Sequence, residues 1–207
     1  MTNSTFDLAQ ARRHLSRRDP LLGKLMRRSI ACELAPRKSA NMVAELAETI
    51  VYQQLSGRAA ATIFGRVRAL YKPRRFPTPE QLQATPDAKL RAAGLSAAKT
   101  AALKDLARHA LAGSIPTFAK ARRMTDEDLI EQLTKVRGVG VWTVQMLLMF
   151  RLGRPDVLPV ADLGIRKGFQ VTYGLGDLPD AEAITTHAER WRPYRSVASW
   201  YMWRALG

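Results

Sequence analysis

The spacing of apolar residues constrains this chain more than any other feature. It is helical nearly throughout, and no segment alternates with period two for long enough to make a strand. Val43, Leu46, Ile50, Val51 and Leu55 mark one face of a helix over residues 41–55. AAATIFGRVRALY continues the pattern over 59–71, and KPRRFPTPE, with its three prolines, breaks it into a loop. Thr78 or Pro79 begins a short helix that ends near Ala84, and Thr85-Pro86 opens another with Asp87 in its first turn. Ser96 is an N-cap for a long helix closed by Gly113. Thr125 and Asp128 resemble a capping pair at the start of a helix over 126–135. A further helix runs through WTVQMLLMFRLG, two more cover 163–173 and 180–191, and the end, RSVASWYMWRAL, reads as amphipathic. The expectation is an all-α protein of about ten short helices. They form one unit over 1–207 with two lobes and no Gly/Ser-rich linker between them.

Charge narrows the partner. The 207 residues carry 33 Lys plus Arg against 18 Asp plus Glu, a net charge of +15. A compact chain this basic is built to meet a polyanion, nucleic acid above all. The basic residues are scattered and not gathered on one amphipathic helix, which argues against a membrane surface. No apolar run approaches the roughly 18 residues that span a bilayer, and the start has no apolar core of a secretory signal. The single cysteine, Cys32, excludes a disulfide framework, a Cys-rich zinc site and a four-cysteine iron–sulfur cluster. It fits a reducing cytoplasm, with a place at the nucleoid if the host is bacterial. His14, His109 and His187 are far apart and make no ligand spacing, and no nucleotide-binding or zinc-protease motif occurs.

The segment LTKVRGVGVWTVQMLLMF, residues 133–150, holds the most chemistry. A helix ends, a hairpin containing Gly138 and Gly140 follows, and a second helix starts at once. Two glycines two apart allow positive φ and a close approach to another surface. The turn presents backbone N–H groups beside a helix N-terminus, a cradle for a phosphate, and Lys135 and Arg137 add positive charge. Such contacts hold a nucleic-acid backbone without reading its sequence. The carbonyls of the turn can face a monovalent cation. Further along, Asp162 stands where a helix starting at Leu163 wants an N-cap.

VRGVGVWT followed by DVLPVADLGIRKG resembles the helix-hairpin-helix (about 126–151), Gly/Pro-rich loop and aspartate of the HhH-GPD DNA glycosylase superfamily. IVYQQLSGRAA, GLSAAKTAALKDLA and AERWRPYRSVASWYMW are similar to that family too, in the same order, over about residues 40–207. The nearest branch is the AlkA type, the 3-methyladenine DNA glycosylases II, in a compact form without an N-terminal β-rich domain. The resemblance implies a two-lobed helical fold that flips an alkylated base from duplex DNA and cleaves its N-glycosidic bond, with Asp162 as the catalytic carboxylate. It implies Trp142, Met146 and Trp203 around the flipped base. Gln53 and Gln54 fall at the duplex gap, and Lys135, Arg137, Gly138 and Gly140 on the DNA backbone. The carbonyls of Thr134, Val136 and Val139 fall on a hairpin cation. Catalysis needs no cofactor.

Two departures from the family pattern matter. Relatives that also cut the strand carry a lysine where this chain has Trp142, which implies a monofunctional enzyme. The AlkA type has a tyrosine where this chain has Met146, which keeps oxidised or deaminated bases open as targets. A non-catalytic binder of distorted DNA is the other alternative. A monomer is expected, since a lesion has no two-fold symmetry to match.

Overall fold

A computed structural model describes residues 7–34 and 41–207. Among the described residues there is no β-strand, and thirteen α-helices follow one another along the chain. They are α1 (Leu8–Arg18), α2 (Pro20–Arg28), α3 (Met42–Tyr52), α4 (Gly57–Ala69), α5 (Pro79–Ala84), α6 (Asp87–Ala92), α7 (Ala97–Leu111), α8 (Phe118–Ala121), α9 (Asp126–Leu133), α10 (Val141–Leu147), α11 (Leu163–Tyr173), α12 (Ala181–Ala188) and α13 (Arg195–Arg204). Most begin at a side chain that accepts from the first turn: Asp7, Asp19, Asn41, Ser56, Thr78, Ser96, Thr117, Thr125, Asp162 and Asp180. Thr78 and Gln81 complete a capping box around Pro79.

The chain divides into two compact units, Ser39–Val144 and a discontinuous one made of Met1–Lys38 and Gln145–Gly207. In the continuous unit α7 packs against α3 and α5. Leu46, Ile50 and Val51 of α3 are buried with Leu103, Leu106 and Ala107 of α7, and so are Leu82, Leu90, Leu129 and Leu133. Each Leu, Ile or Val among them withdrawn from water contributes roughly 1.5–3 kcal/mol.

In the discontinuous unit α11 packs on α13, and α1 and α2 pack on each other. Gly168 is what lets α11 and α13 come together, since a Cβ there would meet the backbone of Met202. The unit is also held by a buried carboxylate. Asp19 is 2% exposed, and its Oδ2 accepts from Tyr173 Oη, Trp191 Nε1 (2.9 Å) and His187 Nε2 (2.8 Å). Its Oδ1 caps α2 through the N–H of Leu22 at 3.1 Å. Burial pushes the Asp19 carboxyl up, but the bonds from His187, Tyr173, Trp191 and Leu22 outweigh it and hold the group far below the usual carboxylate range.

Three expectations are corrected. The helix through residues 142–153 is α-helical only to Leu147; Leu148–Leu152 form a π-helical turn closed by Gly153 at φ +69°. One residue is accommodated in excess of the α repeat, a deformation that apolar spacing does not reveal. The helix read over 180–191 stops at Ala188, and Glu189–Trp191 tighten into a 3-10 turn that buries Trp191. Helix α13 is not amphipathic: Ser196 through Met202 are buried in unbroken succession, as befits a helix surrounded on all sides.

Candidate functional site

The carboxylate expected to do chemistry lies in the discontinuous unit. Asp162 is the N-cap of α11, and its Oδ1 accepts from the N–H of Ile165 at 2.9 Å. The same oxygen accepts from Trp203 Nε1, also at 2.9 Å. A cap bond and an indole thus fix the half-buried carboxylate from two directions. Trp203 stacks on Phe150 of the π-helical turn, with ring centroids 5.9 Å apart. Gly164 lies beneath the indole: a Cβ there would sit 2.8 Å from Trp203 Cδ1 and 3.0 Å from Asp162 Oδ1.

The loop that leads to Asp162 is tied to the start of α13. Ser196 Oγ donates to the carbonyl of Arg154 (2.7 Å) and accepts from the N–H of Val157 (2.9 Å). Asp156 pairs with Arg192 at 2.8 Å and with Arg195 at 2.7 Å. Trp200 and Tyr201 belong to the core, at 7% and 0% exposure. Trp203, by contrast, is half-buried at the carboxylate.

The hairpin lies in the continuous unit. Gly138 takes φ +79°, a conformation that favours glycine, whereas Gly140 does not. Only one of the two hairpin glycines therefore answers a backbone demand, and a Cβ at Gly140 would meet open space. The turn is braced from α7, where Asp105 Oδ2 accepts from the N–H of Arg137 at 2.8 Å. Lys135 pairs with Glu131 at 3.1 Å on the exposed side of α9, and Arg137 is exposed. The carbonyl of Val136 accepts from the N–H of Val139 at 3.0 Å. Among the described residues, the carbonyls of Thr134 and Val139 accept no backbone hydrogen bond in the turn.

The structure brings Gln53 to this hairpin. Its Nε2 donates to the carbonyl of Gly138 at 2.8 Å, with Thr143 Oγ1 3.5 Å away. Gln53 is therefore a brace between the end of α3 and the hairpin, and Gln54 alone of the pair is exposed. Gln54 stands at φ +56°, the left-handed region, as a non-glycine residue. Trp142, 40% exposed, lies in the first turn of α10. Met146 follows one turn later and is half-buried.

Sequence reasoning missed Asp105, Gly164, Phe150, Ser196 and Lys99. Each acts on a residue distant along the chain; for Gly164 alone, which also adjoins Asp162, the GxxxG spacing to Gly168 carried a usable signal.

A braced hairpin between two helices, and a capped aspartate bonded to an indole, are the features that the resemblance to the HhH-GPD DNA glycosylases led one to expect. The sequence matches the HhH-GPD superfamily base excision DNA repair protein family over residues 47–193. The chain belongs to that family. It is 41% identical over 160 residues to DNA-3-methyladenine glycosylase 1 of Schizosaccharomyces pombe, an overlap of 77% of this chain and 70% of the relative. A solved structure of that organism's 3-methyladenine DNA glycosylase in complex with abasic DNA superposes with TM-score 0.81 at 37% identity, covering 94% of this chain and 95% of the other. A DNA-3-methyladenine glycosidase from Bacillus halodurans superposes with TM-score 0.85 at 34% identity, covering 99% and 91%.

Proposed function

We propose that this chain excises alkylated bases, such as 3-methyladenine, from damaged duplex DNA by hydrolysis, and leaves an abasic site. The observation that carries this reading is the pair of bonds on Asp162 Oδ1, from Ile165 N–H and Trp203 Nε1. Cleavage of the glycosidic bond builds positive charge on the deoxyribose. A carboxylate held rigidly before the reaction stabilises that charge with no reorganisation in the transition state. The same group orients the attacking water and takes its proton. An alkylated purine is cationic and leaves readily, so no strong acid is required. Trp142 offers an indole face to such a cation, worth roughly 0.5–2 kcal/mol, and Met146 offers an adaptable apolar surface. With tryptophan, not lysine, at position 142 the chain has no amine there to attack the sugar.

DNA is gripped by the hairpin. Nothing inside the protein requires glycine at position 140, whereas a phosphate backbone drawing close to the turn does. Lys135 and Arg137 add charge, and Gln54 enters the gap left by the flipped nucleotide. A monovalent cation on the carbonyls of Thr134, Val136 and Val139 would supply further positive charge beside a phosphate. The protein acts as a monomer.

The test is release of free base from methylated duplex DNA by wild type and by Asp162→Asn. Asn keeps an oxygen for the cap and the indole but loses the charge. Wild type should release 3-methyladenine and the variant should bind DNA without releasing it. Equal release by both removes Asp162 from the chemistry. Tight binding of abasic duplex without release by either protein identifies a binder in place of an enzyme.

A further inference from the structure

Helix α3 ends under an unusual constraint. The last carbonyls of a helix have no partner within it, and here a side chain from another helix takes two of them. Lys99 Nζ, on α7, donates to the carbonyls of Val51 and Gln53, both at 2.7 Å. The lysine is half-buried, and burial draws its ammonium pKa down. The residue immediately after this clamp is Gln54, exposed and left-handed at φ +56°. A non-glycine residue rests in that conformation only when its surroundings over-determine it. Three devices do so: the turn closed by the N–H of Leu55 on the carbonyl of Tyr52 at 3.4 Å, the Lys99 clamp on the Gln53 carbonyl, which holds that turn in place, and the Gln53 side chain on the Gly138 carbonyl.

We propose that Lys99 is a positioning residue for base excision: its ammonium clamps the end of α3 so that Gln54 is presented to the duplex in its left-handed conformation. The proposal rests on the reading of Gln54 as the side chain that enters the duplex gap.

The molecule contains its own comparison. Five residues along α7, Lys104 does the same for α5, donating from Nζ to the carbonyls of Gln83 (2.6 Å) and Thr85. The two lysines make equivalent caps in the same unit, but only the cap made by Lys99 adjoins an exposed, left-handed residue. Loss of either removes a structural cap; loss of Lys99 alone should disturb the grip on DNA.

The experiment uses the full chain as wild type, Lys99→Met, Lys104→Met, Gln54→Ala and the double variant Lys99→Met/Gln54→Ala. Three readouts are taken: the melting temperature, single-turnover release from methylated duplex, and fluorescence of 2-aminopurine placed opposite an abasic analogue. Lys99→Met and Lys104→Met should lower the melting temperature alike. Only Lys99→Met should slow release, by about tenfold, equivalent to ~1.4 kcal/mol. It should also shrink the 2-aminopurine change. In the Gln54→Ala background the same substitution should have no further effect, because it acts through that residue. Equal slowing by Lys104→Met, a multiplicative loss in the double variant, or wild-type behaviour of Lys99→Met each overturns the proposal. Should Lys99→Met be unfolded at the assay temperature, Lys99→Gln is read in its place. The fluorescence arm needs no chemistry. A wild type that releases no base therefore counts against the proposed activity, while an unaltered fluorescence change in Lys99→Met counts against the clamp.

Discussion

Replacing Gly164 by alanine adds one methyl group at the most crowded point beside Asp162, the carboxylate we propose acts in base release. The new Cβ would lie 2.8 Å from Trp203 Cδ1, 3.1 Å from Trp203 Nε1 and 3.0 Å from Asp162 Oδ1. Carbon atoms prefer about 3.5–4.0 Å, so the indole must retreat by roughly 0.7 Å or tilt. It stacks on Phe150, which limits where it can go. The 2.9 Å bond from Nε1 to Asp162 then lengthens, towards the ~3.6 Å at which it ceases to be one. A hydrogen bond to a charged group is worth about 1.5–3 kcal/mol, so single-turnover release should fall roughly 10- to 150-fold. Stability should change little, because alanine favours a helix over glycine by up to ~1 kcal/mol, and that gain opposes the crowding. The assay is release of 3-methyladenine from methylated duplex beside a thermal melt. A wild-type rate in Gly164→Ala would refute the claim that base release depends on the indole bond that fixes Asp162. A rate loss that simply tracks a lower melting temperature would assign the effect to folding.

Two further outcomes follow from the geometry. The Asp19 carboxyl is held below its unfolded value of about 3.9, so it contributes stability that is fully present above about pH 4 and is lost as the pH falls towards its depressed folded value. Melting temperature should therefore drop steeply below about pH 4 in wild type, and Asp19→Asn should start lower and flatten that dependence; parallel curves would refute the role of the cluster. Affinity for duplex DNA should fall linearly on a log–log plot against salt, and Arg137→Gln should reduce the slope by about 1 without changing sequence preference; an unchanged slope would remove Arg137 from the phosphate contacts.

Local features were the ones legible in sequence. Ser96, Thr125 and Asp162 were readable as caps because a cap acts three residues ahead on its own helix. The hairpin was readable from its glycines and charges, and with the family resemblance this pointed to the fold. What could not be read was whatever depends on distant partners. Asp19 gathers Tyr173, His187 and Trp191 from more than 150 residues away, and α1 and α2 carried no marker of that task. Gln53 was expected at the duplex gap beside Gln54, and only the fold reveals that its amide is committed to the Gly138 carbonyl. Both hairpin glycines invited the same explanation, yet Gly140 has no need of positive φ. The π-helical turn at Leu148–Leu152 escapes periodicity because one surplus residue shifts the apolar stripe without breaking it.

The division of the chain also sets an order of assembly. Ser39–Val144 is continuous, so during synthesis it has all its own residues in hand while the rest of the chain is still being made. The first helices do not share that advantage. Asp19 emerges early but must wait for Tyr173, His187 and Trp191 before its carboxylate has the donors that make burial tolerable. Until then α1 and α2 are a basic segment without its core, and the unit that carries Asp162 closes only when α11 to α13 have left the ribosome. The cluster around Asp19 thus acts as a completion mark: a chain cut before Trp191, whatever its grip on DNA, lacks the support on which Asp162 stands.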